Sequence, residues 1–294
     1  MSNPLHAEHY ADAAVQQTVE VVENVKLARD TYRVRFRCPE MAARIVPGQF
    51  LMLRLTGLND PLIGRPLALY DTVLAATGGA DSEAEEIDVV YLVKGKLTSR
   101  LVEYQPGQQL DVWGPLGNGF DPRPTEHLIM VAGGIGQTPF VALAQEALGK
   151  RRYGGSRRQS TDVKRVTLCY GARTAELLAG VEDFQRAGVD VRIATDDGSR
   201  GHHGLVTDLL RRTLAESDDD RRIVCCGPEP MMAAVAGVAA ETETDCQISL
   251  ETPMACGIGI CFTCVAKVCD ANGQWDYKRT CVDGPVFDAT SIVW

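Results

Sequence analysis

The chain lacks an apolar run long enough to cross a bilayer as a helix, which takes about 20 consecutive apolar residues, and it lacks the basic excess of a nucleic-acid binder. Its 294 residues carry 30 Lys and Arg against 39 Asp and Glu, a net charge of -9. The basic residues are scattered apart from a cluster at 150–158, which reads as a solvated loop. Neither membrane insertion nor nucleic-acid partners are expected. Also missing are an internal repeat and any Ser/His/Asp or paired-carboxylate arrangement suited to hydrolysis, so no catalytic acid, base or nucleophile is nominated. The five histidines, His202 and His203 among them, read as surface residues. Residues 1–17 carry acids and histidines where a secretory leader would be basic and then apolar. They are expected to form a loose N-terminal arm on a cytoplasmic protein.

What is present suits a multidomain protein. The length is too great for one small core and about right for two medium domains and an appendage. From 18 to 124 short strands alternate with turns: 19–25, 32–37, 49–55, 87–93 and 109–113, with turns at Pro47-Gly48 and Pro106-Gly107. That pattern predicts a small antiparallel barrel, with the acidic stretch 75–86 as an exposed loop. Near His127 the pattern changes to strands at 128–132, 166–170, 189–195, 223–226 and 247–250, with helices near 138–148, 181–187, 205–214 and 230–239. This alternation predicts an α/β domain with a doubly wound parallel sheet. Beyond Glu251 the chain is rich in Cys and Gly and predicts a small module without clear regular structure.

Ten cysteines in a chain of this length, four of them close together near its end, point to cofactor ligation rather than a disulfide scaffold. Cys256, Cys261, Cys264 and Cys281 form a C-x4-C-x2-C…C series, the spacing that holds a [2Fe-2S] cluster in plant-type ferredoxins. Thiolates are soft anionic donors suited to ferric iron. Gly257 and Gly259 give the loop the freedom to wrap the cluster. A structural zinc site would pair two C-x2-C knuckles, and only Cys261/Cys264 forms one. Cys269 is an alternative fourth ligand, but it falls in an expected hairpin strand, 265–269, beside a turn at 270–273. Cys38, Cys169, Cys225 and Cys246 read as core residues.

The segment from Leu128 to Pro139 reads as a strand, a glycine turn (Gly133, Gly134, Gly136) and a helix start at Thr138 and Pro139. Such a turn lets a backbone approach a pyrophosphate, whose charge the helix end favours; glycines at such turns can also serve sterics alone. Cys226-Gly227-Pro228 follows a later strand, and loops at the carboxyl ends of parallel strands converge on one crevice. Asp196-Asp197 lies at another strand end, where a carboxylate can accept from ribose hydroxyls and repel a 2′-phosphate, favouring NAD over NADP. A plain Asp-Gly-Ser turn is the alternative. In the barrel half, Arg65 with Pro66, Leu67, Ala68 and Tyr70, and Val93, Lys94, Gly95 and Thr98, can jointly hold a second pyrophosphate. Arg65 can fork onto phosphate oxygens, and Thr98 can cap a helix facing them.

On these residues the chain resembles the ferredoxin reductase-like superfamily, and within it the electron-transfer subunits of B-type dihydroorotate dehydrogenases. The resemblance runs from about Thr18 to Asp288. It rests on G-P-L-G-x-G-F at 114–120, G-G-I-G-x-T-P at 133–139, A-T-D-D-G-S at 194–199, C-G-P at 226–228, E-T-P-M-A-C-G-I-G-I-C-F-T-C at 251–264 and C-V-D-G-P-V-F at 281–287. It implies an FAD-binding barrel at 18–124, an NAD-binding domain at 125–250 and a [2Fe-2S] module at 251–294. The FAD phosphates would lie near Arg65, Gly95 and Thr98, its ring near Pro66 to Tyr70, and NAD across 133–139 and 226–228. Relatives usually carry Ser or Thr where this chain has Ala68, so a hydroxyl near the flavin ring is missing. The implied function is electron transfer between NAD(H) and an FMN-containing dihydroorotate dehydrogenase catalytic subunit, in a heterotetramer with two copies of each. A subunit of a ferredoxin:NAD(P) reductase or sulfide dehydrogenase complex, and a non-catalytic redox sensor, stand as alternatives.

Overall fold

The computed structural model describes residues 11–74, 84–155, 163–216 and 219–294. Six strands come first: β1 (Val15–Ala28), β2 (Thr31–Arg37), β3 (Phe50–Leu55), β4 (Arg65–Leu74), β5 (Ala84–Leu92) and β6 (Gln109–Leu116). They close in the order β1-β2-β5-β4-β3-β6, every pair antiparallel. Alternation drives the closure. On β2, Val34 and Phe36 turn inward and are fully buried while Arg33 and Arg35 turn out to ion pairs. Two short helices, α1 (Pro39–Ala42) and α2 (Lys96–Leu101), pack Met41, Ala42, Leu97 and Leu101 into the barrel core.

Three expectations are corrected in this half. Strand β1 begins at Val15, inside the stretch expected as an arm, and Val15 to Thr18 pair with Gly114 to Asp111 of β6. β4 occupies the segment expected to hold phosphates, which had not been read as a strand. Residues 75–83 of the expected acidic loop lie outside the described residues, and Ala84 to Glu86 belong to β5.

The second half holds β7 (His127–Gly133), α3 (Phe140–Ala147), β8 (Arg165–Ala172), α4 (Val181–Arg186), β9 (Asp190–Thr195), β10 (His202–His203), α5 (Val206–Ala215), β11 (Arg221–Cys226), α6 (Glu229–Glu241) and β12 (Asp245–Ser249). Then come the hairpin β13 (Val265–Cys269) and β14 (Trp275–Arg279), and finally β15 (Val286–Asp288). The sheet order is β10-β9-β8-β7-β11-β12-β15, parallel except where β15 pairs with β12. Strand β7 is buried along its whole length. Leu128, Met130 and Ala132 pack with α3 and α4, while Ile129 and Val131 pack with α5 and α6. A strand covered on both faces explains its unbroken apolar run.

The closing module is more regular than expected, since β15 completes the large sheet and Val268 bridges Ile292 near the carboxyl end. The basic cluster is not simply a solvated loop either. Arg151 pairs with Asp71 at 3.1 Å and Lys150 donates to the Ala187 carbonyl, while Arg157 and Arg158 lie outside the described residues. His127 overturns the surface reading of the histidines. It is buried at the base of the sheet and bonded to Thr167 at 2.9 Å. Cys38, Cys169, Cys225 and Cys246 are all buried. Barrel and sheet share a core in which Phe120 meets Phe140 at 5.8 Å between ring centroids. Each such buried ring contributes about 1.5–3 kcal/mol.

Candidate functional site

The carboxyl ends of β7, β8, β9 and β11 open onto a crevice of about 920 Å³. Gly134, Asp196, Gly227 and Pro228 line it from the sheet, and Val93 and Lys94 line it from the barrel. The glycine turn and Cys226-Gly227 touch. A Cβ on Gly136 would fall 2.3 Å from the Cys226 carbonyl oxygen, so that glycine serves close packing, while Gly134 faces the crevice. The helix start differs from expectation. Residues 134–137 form a 3-10 turn, and Thr138 and Pro139 are buried beneath the crevice before α3 begins at Phe140.

The acidic pair divides its tasks. Asp196 lines the crevice, whereas Asp197 accepts from the Ser199 amide and hydroxyl. Those Ser199 hydrogen bonds hold the Asp197 carboxyl below its usual range. Arg173 and Glu251, which the sequence reading did not single out, also line the crevice. Glu251 Oε1 lies 4.0 Å from Cys226 Sγ. Confinement of Glu251 raises its carboxyl, against the pull of Lys94, and burial raises the Cys226 thiol well above the thiol range.

On the barrel side, Arg65 is exposed, and its guanidinium meets the Ile63 and Gly64 carbonyls through one nitrogen at 3.0 Å. Pro66, Leu67 and Ala68 are half-buried on β4, opposite Met52, Leu51 and Phe50. Thr98 caps α2 from within its first turn: Gly95 holds the N-cap position, and the Thr98 hydroxyl accepts from the Lys94 and Gly95 amides at 3.0 and 3.1 Å. One expected role changes. Tyr70 does not face the same space as Arg65. It is buried, and its hydroxyl donates to Asp183 of α4 at 2.5 Å.

The cysteine loop rests on the barrel. Trp113 Nε1 donates to the Cys256 carbonyl at 2.9 Å, and a Cβ on Gly257 would fall 2.6 Å from Met52 Cγ. Met52 sits opposite Pro66 in the β3/β4 ladder, so the loop lies one side chain from the segment expected near the flavin ring. Phe50, Met52 and Leu116 of the barrel form one cluster with Met254, Cys264 and Val282.

Among the described residues no three His, Cys, Asp or Glu side chains close on one point able to hold a metal ion. The cysteines meet two by two. Cys264 and Cys281 sulfurs are 3.2 Å apart, and Cys256 is the neighbouring cysteine that acts on the Cys261 thiol, whose sulfur lies 3.1 Å from the Thr263 hydroxyl. Cys269 stands at the end of β13, opposite Trp275. Two thiolate pairs fit a two-iron cluster, with two sulfurs for each iron, and not a single tetrahedral zinc. One proton between Cys264 and Cys281 pushes the Cys281 thiol up and pulls Cys264 down to about 6. Burial works to raise Cys261, but hydrogen bonds with Thr263 and Cys256 carry it down to about 6. Both are ready to ligate as thiolates.

An antiparallel barrel, a parallel-sheet nucleotide domain at its side and a four-cysteine loop against its wall define an NAD-linked flavin and iron–sulfur oxidoreductase of ferredoxin reductase-like fold. The comparisons narrow the class. Residues 18–120 match the oxidoreductase FAD-binding domain and 130–237 the oxidoreductase NAD-binding domain. Residues 251–293 match the iron–sulfur cluster binding domain of dihydroorotate dehydrogenase B. The dihydroorotate dehydrogenase B (NAD(+)) electron transfer subunit of Desulforamulus reducens is 34% identical over 91% of this chain and 94% of its own. Its counterpart from a Geobacillus species is 34% identical over 95% and 98%. The chain belongs to this family of electron transfer subunits. Among solved structures, that of an NADH-dependent reduced ferredoxin–NADP oxidoreductase, described for flavin-based electron bifurcation, superposes with a TM-score of 0.75. It is 28% identical and covers 94% of this chain and 90% of that one.

Proposed function

We propose that this chain carries electrons between NAD and an FMN-containing catalytic subunit that oxidises dihydroorotate to orotate for pyrimidine synthesis, in a cytoplasmic heterotetramer with two copies of each. The carrying observation is the contact of the cysteine loop with the barrel wall at Met52 and Trp113, while Glu251, just before that loop, and Val93 and Lys94 of the barrel line the crevice shared with the nucleotide domain. Bound FAD supplies the exchange between hydride chemistry at the nicotinamide and one-electron chemistry at the cluster.

The chain's own groups do the holding. Arg65, Gly95 and the amides tied by Thr98 suit the FAD phosphates, and Pro66 to Ala68 suit its ring. Gly133, Gly134 and Cys226 to Pro228 suit the nicotinamide nucleotide, with Asp196 at the ribose and Lys94 and Arg173 bringing positive charge. Cys256, Cys261, Cys264 and Cys281 suit the cluster. The cysteine loop exposes Ile260 and Phe262, Arg279 lies over the Phe262 ring, and the hairpin that follows exposes Trp275 and Tyr277. Aromatic and arginine side chains of this kind favour a protein partner.

Co-purification from the native host under anaerobic conditions, followed by assay of dihydroorotate-dependent NAD+ reduction, tests the reading. Reduction by dihydroorotate with a co-purified FMN subunit supports it. A partner without an orotate-forming flavin site favours the second reading, a ferredoxin:NAD(P) reductase subunit, which the 28% identical oxidoreductase structure supports. Failure of NADH to bleach the flavin would leave only a redox sensor.

A further inference from the structure

Strand β4 carries the residues read as facing the flavin at one end, and two residues later it leaves the barrel's regular ladder. Its register with β5 slips between Leu69 and Asp71, so Tyr70 is the additional residue of a bulge. A bulge redirects a side chain. Leu69 stays in the barrel core, while Tyr70 packs in the other domain's core with Phe140 and Phe184.

The nucleotide domain grips both residues at the bulge. The Tyr70 hydroxyl donates to Asp183 at the start of α4, and the approach requires Gly180, where an added Cβ would fall 2.3 Å from the Tyr70 oxygen. Asp71 accepts from Gln145 of α3 at 2.8 Å, from Arg151 at 3.1 Å and from the Tyr153 hydroxyl at 2.7 Å. A strand that leads to the flavin face is thus tied to both helices on one face of the sheet whose strand ends form the nucleotide crevice.

We infer that Tyr70 and Asp71 are positioning residues for hydride transfer: through β4 they set the distance between the flavin ring and the nicotinamide. This rests on the function proposed above. The step itself moves one hydride, two electrons with a proton, from the reduced nicotinamide, which is oxidised, to the flavin, which is reduced. Its rate depends steeply on approach, because a misplacement of about 1 Å can cost about a hundredfold. Loss of a hydrogen bond that sets the approach therefore slows hydride transfer without touching either cofactor.

Anaerobic stopped-flow on the full complex tests this, using Tyr70→Phe, Asp71→Asn and Asp183→Asn. At saturating NADH, Tyr70→Phe and Asp71→Asn slow flavin bleaching about tenfold. The isotope effect with NADH deuterated at C4 is then fully expressed, while NADH affinity, FAD content, cluster absorbance and cluster-to-flavin electron exchange match the unaltered protein. Asp183→Asn keeps an acceptor for Tyr70 and keeps the rate. The inference is overturned if folded, FAD-replete Tyr70→Phe and Asp71→Asn both bleach within twofold of the unaltered protein. It also falls if the slowing only tracks lost FAD. If the unaltered protein is not bleached by NADH, the underlying function fails first and takes this role with it.

Discussion

Three of the four candidate ligand cysteines lie between residues 256 and 264, whereas the crevice takes its walls from Lys94, Gly134, Arg173, Asp196, Gly227 and Glu251. The module is a local device, a single loop laid on the barrel through Met52 and Trp113 with one later cysteine returning to it. The crevice is assembled by strand register, from turns that meet only because β7, β8, β9 and β11 run parallel and end together. A local device should fail all at once when a ligand is lost. An assembled site should fail by degrees, since each wall contributes a fraction of the binding.

The largest effect expected is at the cysteines. Cys281→Ser should abolish the cluster, read as loss of iron and acid-labile sulfide, and end transfer to the partner while NADH still bleaches the flavin. Cys269→Ser should keep the full iron content; iron loss there instead of at Cys281 would redraw the module. An intermediate effect concerns how the sheet that frames the crevice fails in acid. Burial, with Arg165 next, holds the His127 imidazole down to about 4, from an ordinary value of 6.5. The unfolded chain binds a proton that the native state refuses, so this stabilisation is present above about pH 6.5 and is lost as pH falls toward 4. Stability against denaturant should be lower at pH 5 than at pH 7 by about 1–2 kcal/mol, and His127→Gln should flatten that difference. A profile unchanged by the substitution would remove His127 from the account. The smallest effect is at the crevice wall. Asp196→Ala should weaken NADH binding by about 1 kcal/mol, roughly fivefold, and narrow the preference over NADPH. Equal NADH affinity in titration would mean that Asp196, like Asp197, serves only its turn.

Legibility followed the same division. The cysteine series and the glycine turns could be read because their chemistry depends on spacing within one short stretch. Five of the sheet's seven strands and its helices were readable from periodicity, the short β10 and β15 were not, and the hairpin strand at 265–269 was visible. Side chains whose partners lie far along the chain were not. Tyr70 looked like a flavin neighbour because it follows Ala68 closely, yet the bulge turns it to Asp183, 113 residues away. Arg151 looked solvated and instead serves Asp71, and His127 gave no sign of burial beyond the apolar run beginning beside it. Arg173 carries no motif of its own, and Glu251 opens the cysteine run without any sign of its place in the crevice; their standing after a strand and before the cysteines was the only available signal.

By itself the sequence determined the barrel, the doubly wound sheet, the cysteine set and the order in which they follow one another, because periodicity and ligand spacing are properties of neighbouring residues. Only the tertiary structure decided which groups face the crevice, which carboxylate of the 196–197 pair is free to meet a ligand, and how β4 is held between the two domains. Those outcomes depend on register, on a bulge and on close backbone approach at Gly136 and Gly180, which exist only once distant segments are packed together.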